Sequence, residues 1–212
     1  MKAIAIIAMM IGVLGAQDSP EAEGLLEATA SKHFNYGLVF VPVKSGFAFD
    51  TQFYWTPDAG SQVLLGGAYV WKPKKLGGLK LIPGIYYVTE GCEHEARPAG
   101  CHDVALGLGW EWRNVRWGSR GFVAQTLRKT ERRFGFADPV QAYRRLFDGK
   151  VEFGFAYTGE SAEHHLFGKG GLSVRRYFGQ EKEEGIGRNY VEFTFLTGHK
   201  GPSYRTTLGR SF

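Results

Sequence analysis

Residues 104–112 read VALGLGWEW, and every second one is large and apolar: Val104, Leu106, Leu108, Trp110 and Trp112. Between them stand Ala105, Gly107, Gly109 and Glu111. A repeat of two puts these sets on opposite faces of a β-strand. The same alternation returns along most of the chain. It yields ten candidate strands, at 33–43, 47–56, 62–72, 79–89, 103–113, 120–130, 150–158, 165–178, 189–197 and 203–212. Short stretches such as KSG at 44–46 and NVRWGS at 114–119 separate them, with the Gly and Asn that turns require. Such a chain folds as one sheet with two unlike faces, and its behaviour depends on which face is inside.

The first face carries Phe49 and Phe53, Leu106, Leu108 and Trp110, then Phe153, Phe155 and Phe193. The other carries Gly66, Ala68, Gly84, Gly107, Gly109, Gly154 and Ala156. Charges of both signs are spaced among those small residues: Asp50, Glu111, Glu152 and Glu192 against Lys80, Arg113 and Arg175. Glycine packs nothing and weakens a strand, so it makes a poor solvent-facing surface. Small residues with paired charges suit a confined interior, and an almost uncharged aromatic face suits lipid. Trp55, Trp71, Tyr87, Trp112 and Tyr157 fall near strand ends, where membrane interfaces lie. The expected fold is all-β, a single antiparallel up-and-down transmembrane β-barrel of about ten strands, with eight to twelve as bounds. The seven charged residues form its interior network, and the eight apolar ones named first face lipid. The competing reading turns the aromatic face inward, giving a soluble, secreted or periplasmic β-barrel that binds an apolar ligand.

The chain opens MKAIAIIAMMIGVLGAQDSPE, one lysine before an apolar run and then polar residues. That is the layout of a secretory signal peptide, too short to span a bilayer as a helix. The expected organisation is a signal peptide at 1–16, an acidic, Ala-rich leader at 17–32 and a barrel domain at 33–212. The formal net charge is +5, yet export argues against a nucleic-acid partner. Cys92 and Cys101 lie in GCEHEARPAGC and read as a disulfide in an exported chain. A metal site built from them with His94 and Glu95 lacks any standard ligand spacing. In the segment DPVQAYRRLF, Asp138 and Pro139 form a helix start. Val140, Tyr143 and Phe147 then share a face, so a short helix is expected near 139–147.

With these features in place the chain resembles bacterial outer-membrane β-barrel proteins over residues 33–212, as an architecture rather than one family. Such proteins commonly end in a strand with a terminal aromatic residue that the assembly machinery recognises. Phe212 matches, with Tyr204 and Leu208 in the same alternation, while Arg210 breaks it. The resemblance implies an outer-membrane location and, as partners, outer-membrane lipids and the barrel-assembly machinery, with small solutes added if the lumen is open. One conflict accompanies it. Short connections should follow even-numbered strands when both termini are periplasmic. The long connections 90–102, 131–149 and 179–188 follow candidate strands four, six and eight.

Catalysis needs a nucleophile or base held by a partner. Ser161, His164 and His165, in SAEHH, are the local candidates, and a polar loop is the plainer reading of them. The carboxylates Asp50, Asp103, Glu111, Glu152 and Glu192 offer acid–base pairs, although charge-paired filling of an interior accounts for them too. GKGG at 168–171 lacks the P-loop pattern. No cofactor and no metal are expected. The leading function is a non-enzymatic outer-membrane barrel, either a narrow pore or a structural, envelope-interacting protein. An enzyme acting on lipid A or peptides is the second reading, and the soluble ligand binder is the third.

Overall fold

The computed structural model describes residues 24–31, 35–56, 60–90, 102–127, 135–162, 165–179, 188–198 and 201–212. Twelve strands run in sequence: β1 (Leu25–Ser31), β2 (Asn35–Pro42), β3 (Phe47–Thr56), β4 (Gly60–Tyr69), β5 (Leu79–Glu90) and β6 (His102–Arg113); then β7 (Trp117–Thr126), β8 (Gly135–Leu146), β9 (Val151–Ala162), β10 (His165–Phe178), β11 (Asn189–Gly198) and β12 (Ser203–Ser211). Each pairs antiparallel with the next, and β1 closes the barrel on β12, with Leu25 opposite Ser211 and Ser31 opposite Arg205. The fold is therefore all-β and up-and-down, with twelve strands in place of about ten. Closure leaves no unpaired sheet edge.

The two added strands come from segments read otherwise in the sequence. Leu25–Ser31 lies within the stretch assigned to a leader and forms β1, paired to both β12 and β2. Its outward residues are as small as Ala28, so its alternation is faint. The helix expected near 139–147 is absent: residues 139–146 belong to β8, and Phe147 opens the turn that follows. Gln141 and Tyr143 are buried while Ala142 and Arg144 are exposed, the repeat of two that a strand demands. Pro139 is tolerated because the register shifts between Ala137 and Val140 on the β9 side, a bulge where no regular ladder bond is required of it.

The added strands also change the parity of the connections. The stretches 91–101 and 127–134 now follow β5 and β7, both odd-numbered, whereas 179–188 follows β10 and keeps its conflict with the expected pattern. The proposed signal peptide, Cys92, Cys101 and His164 lie outside the described residues.

Polarity is inverted relative to a soluble protein. Phe49 is 65% exposed and Phe193 59%, while Asp50, Glu152, Arg175 and Glu192 are buried inside. The small residues of the inner face seat aromatic rings. Tyr86, fully buried, lies over three glycines: a Cβ would come within 2.4 Å of its ring at Gly66 and 2.6 Å at Gly107, and within 2.6 Å of its hydroxyl at Gly84. Phe122 meets the same ring edge-on, with centroids 5.5 Å apart. Tyr143 fills the space over Gly118, and Tyr190 that over Gly209. Ring-over-glycine packing of this kind restores contacts that a bare glycine strand forfeits.

Candidate functional site

The barrel interior holds a charged network that crosses its own lumen. On β7 the small residues Gly118 and Ala124 share the inward face with Arg120, so the guanidinium points inside. Its Nη1 lies 2.7 Å from Glu152 Oε2 and its Nη2 3.2 Å from Glu192 Oε2. Glu192 also accepts from Arg175 Nε at 2.7 Å, from Gln141 Nε2 at 2.6 Å and from Thr194 Oγ1 at 3.2 Å. Arg120 additionally donates to Gln141 Oε1.

The network reaches the barrel seam through Arg175, whose Nη2 sits 3.6 Å from Glu27 Oε1. Tyr190 donates its hydroxyl proton to the same carboxylate. Aromatic faces cover both cations, with Arg175 3.8 Å from the Tyr190 ring centre and Arg120 4.5 Å from that of Tyr143. Arg205 on β12 donates to Thr158 on β9 at 3.3 Å, a further link between non-adjacent strands. Ionised groups taken out of water are retained only where partners compensate them, and here Arg120 and Arg175 each meet two acids. The free cavity left beside Glu27, Thr29, Arg175, Glu192 and Arg205 is about 20 Å³, room for about one water molecule.

A second cluster is smaller and built around one acid. Asp50 accepts from Tyr86 Oη at 2.6 Å and from Gln52 Nε2 at 3.1 and 3.2 Å, while Gln52 Oε1 accepts from Tyr54 Oη at 2.6 Å. A third group lies towards the end where β6 finishes: Lys80 Nζ is 2.9 Å from Glu111 Oε2, and Arg113 Nη1 is 3.9 Å from Glu111 Oε1. The seven interior charges named from sequence thus fall into three separate clusters. Arg175, Glu152 and Glu192 share the crossing network, Asp50 stands apart with its tyrosine, and Lys80, Glu111 and Arg113 form the last.

Of the outward residues named from sequence, Phe49, Leu106, Leu108, Phe153, Phe155 and Phe193 are exposed. Trp110 and Phe53 are half-buried on the same surface. Trp110 lies over Gly121 and donates its indole N–H to Ser119 Oγ at 3.2 Å, which draws it down onto the sheet. Phe212 packs over Gly24, where a Cβ would meet the ring at 2.4 Å, and their backbones exchange hydrogen bonds of 2.8 and 3.0 Å.

Two of the catalytic candidates, Ser161 and His165, lie in the backbone pairing of β9 with β10. Ser161 lies on β9 opposite Leu166, and His165 on β10 opposite Ala162. Asp103 accepts from the backbone N–H of Val104, its neighbour. No cluster of three or more His, Cys, Asp and Glu able to hold a metal occurs among the described residues.

Four members of the crossing network were not singled out in the sequence: Arg120, Gln141, Glu27 and Tyr190. Glu27 was hidden inside the assumed leader, and Gln141 inside the assumed helix. For Arg120 the signal existed, since Gly118, Arg120, Ala124 and Thr126 continue the small-and-polar alternation one strand further, with Phe122 the exception.

No protein-family model matches the chain, and no curated protein sequence matches it. Of three similar solved structures, one matches above a TM-score of 0.5 and two match more weakly, below it. The structure titled KdgM porin superposes with a TM-score of 0.55 at 11% identity, covering 90% of this chain and 99% of that one. OccAB4 of Acinetobacter baumannii gives 0.42 at 10% identity, covering 88% of this chain and 56% of that one. The β-domain of the Bordetella autotransporter BrkA gives 0.40 at 14% identity, covering 91% of this chain and all of that one. The likeness to the first is a likeness of fold, a closed β-barrel of similar length.

Proposed function

We propose that the chain is an exported, non-enzymatic outer-membrane β-barrel that acts as a narrow pore for small solutes, constricted by the Arg120–Glu192 crossing. The inverted polarity carries this reading: a closed barrel with phenylalanine and leucine outside and paired charges inside is stable when its outer surface meets hydrocarbon rather than water. Burial of Phe49 or Phe193 against lipid contributes about 1.5–3 kcal/mol each relative to water, a gain forfeited in solution. The shared fold with a structure titled as a porin supports the assignment. The interior carboxylates support the non-enzymatic part, because Glu152 and Glu192 are bridged by Arg120 instead of presenting a carboxyl to a substrate.

In this reading residues 1–16 direct export, Cys92 and Cys101 close a disulfide loop, and Phe212 is the terminal residue read by the assembly machinery. Eight-stranded barrels are filled by side chains and sixteen-stranded ones conduct freely. A twelve-stranded barrel lies between, so the side chains crossing its lumen decide the matter. A cavity of about 20 Å³ beside Arg175 and Glu192, next to charges that cross the lumen, favours a second reading as well, a closed barrel with a structural role in the envelope.

Planar-bilayer recording separates the two. The pore reading predicts small conductance steps for the native chain and severalfold larger ones for the paired variant Arg120→Ala, Glu192→Ala. Steps of equal size in both would remove the constriction from the account. Silence from both leaves the structural role as the function.

A further inference from the structure

Among the described residues, the strands place only three charged side chains on the outer surface: Arg144, Arg176 and Arg210, all exposed. All three are arginines, and all lie at one end of the barrel. Arg144 is near the close of β8 (Gly135–Leu146), Arg176 near that of β10 (His165–Phe178) and Arg210 near that of β12 (Ser203–Ser211). An outer surface otherwise without Asp, Glu, Lys or Arg among the described strand residues thus carries a one-sign band at a single level. Aromatic rings accompany two of the cations: Arg144 lies 5.8 Å from the Trp117 ring centre and Arg176 5.2 Å from that of Phe178.

At the same end an open hollow of about 550 Å³ lies between two turns, with Arg116, Arg144 and Arg145 around it. Val115, Leu146, Phe147, Asp148 and Gly149 complete its lining, so the three arginines outnumber one acid there, and Val115 and Phe147 are exposed by 87% and 74%. Phe147 holds a left-handed backbone, φ 51°, a conformation that a bulky residue adopts at a cost. That conformation sets an aromatic ring at the rim beside the guanidinium groups. One Arg145 nitrogen, Nε, is buried without a hydrogen-bond partner.

We propose that this end of the barrel is a binding surface for anionic phospholipid, with phosphate between Arg116 and Arg144 and the glycerol and first methylenes against Val115, Phe147 and Trp117. The proposal rests on the membrane-barrel reading above. Two features name a lipid in preference to a free anion. Arg144, Arg176 and Arg210 lie on the outward surface rather than in the lumen, and apolar groups stand beside the first two, where a headgroup meets its chains. Arginine forks suit phosphate oxygens, and aromatic residues at the same level suit the interface. The break at Arg210 in the terminal alternation then acquires a role, as part of the band.

The test uses the full chain reconstituted in vesicles of equimolar phosphatidylcholine and phosphatidylglycerol, with the lipid retained after mild detergent extraction counted by mass spectrometry. The native chain should retain phosphatidylglycerol preferentially. The variant Arg144→Gln, Arg176→Gln, Arg210→Gln should lose that preference by about fivefold per arginine, the effect of one basic residue at an anionic surface. Where the triple variant does not insert, Arg116→Gln, in a turn outside the strands, gives the same reading at the hollow alone. Equal retention of both lipids by the native chain, or an unchanged preference in the variants, overturns the proposal. So does displacement of the lipid by inorganic phosphate, which would make the ligand a free anion, or a change of oligomeric state without a change in lipid, which would make it a second copy. A native chain that enters neither vesicle defeats the membrane reading itself, a separate failure.

Discussion

Arg120 on β7 and Glu192 on β11 meet at 3.2 Å although three strands, β8, β9 and β10, separate them around the wall. A contact of that kind is a chord across the lumen, not a rung of the sheet. It ties parts of the wall a third of the circumference apart and occupies the space through which a solute would pass. Glu192 is the hub, holding Arg120 and Arg175 at once.

Removing the hub leaves two buried guanidinium groups short of an acid. Glu192→Ala is expected to cost about 3–5 kcal/mol, the penalty for breaking a buried pair. Glu192→Gln should cost less, because an amide oxygen still accepts from Arg175 or Gln141. Urea unfolding of the vesicle-inserted protein measures both, and equal midpoints for the two variants would count against a charge-based role.

The Asp50 cluster makes a smaller demand. Tyr86→Phe deletes one hydrogen bond to the Asp50 carboxylate and keeps the ring over Gly66 and Gly107. A loss of about 1.5–3 kcal/mol is expected, as for a hydrogen bond to an ionised group. An unchanged unfolding midpoint would show that Gln52 alone satisfies Asp50.

The glycine seats give a packing prediction. A Cβ at Gly107 would lie 2.6 Å from the Tyr86 ring and 2.8 Å from Phe122. Gly107→Ala is expected to cost about 1–3 kcal/mol by overpacking. Combined with Tyr86→Leu, the cost should fall below the sum of the two single changes. Strict additivity in that double-mutant cycle would mean that the ring and the glycine are not packed together.

A charge on the outer surface should matter by level. Leu108, mid-strand on β6 and 40% exposed, is expected to lose about 2–4 kcal/mol on substitution by arginine. Tyr204, beside the start of β12, should lose only about 0–1 kcal/mol from the same change. Equal effects at the two sites would argue for water, not lipid, around the barrel.

Much of the architecture was legible because alternation is a strong local signal. VALGLGWEW lies wholly within β6, and its inner and outer sets are those of the structure. What the repeat of two did not reveal was how the inner glycines are used. They suggested a confined interior lined by small residues, whereas several of them are seats for inward-facing tyrosine rings. Two strands escaped for opposite reasons. In β1 the outward residues Ala28 and Ala30 are too small to advertise a face. Around β8, Val140, Tyr143 and Phe147, the last just past the strand, fit a helical spacing as well as Gln141, Tyr143 and Arg145 fit a strand, and Asp138-Pro139 tipped the local reading to helix. The need to pair β7 and β9 decides otherwise, and that need is not local. The crossing network was only half visible for the same reason. Sequence put Glu152, Arg175 and Glu192 on one face, but which charges meet across a lumen depends on closure.

The central claim is that the phenylalanine and leucine surface faces lipid and the charged surface faces inward. Membrane fractionation with electrophoresis of unboiled and boiled samples tests it most directly. The account predicts that the protein sediments with the outer membrane, resists cold dodecyl sulfate as a compact band and shifts on boiling. A chain that stays soluble without detergent, with one mobility before and after boiling, would contradict it.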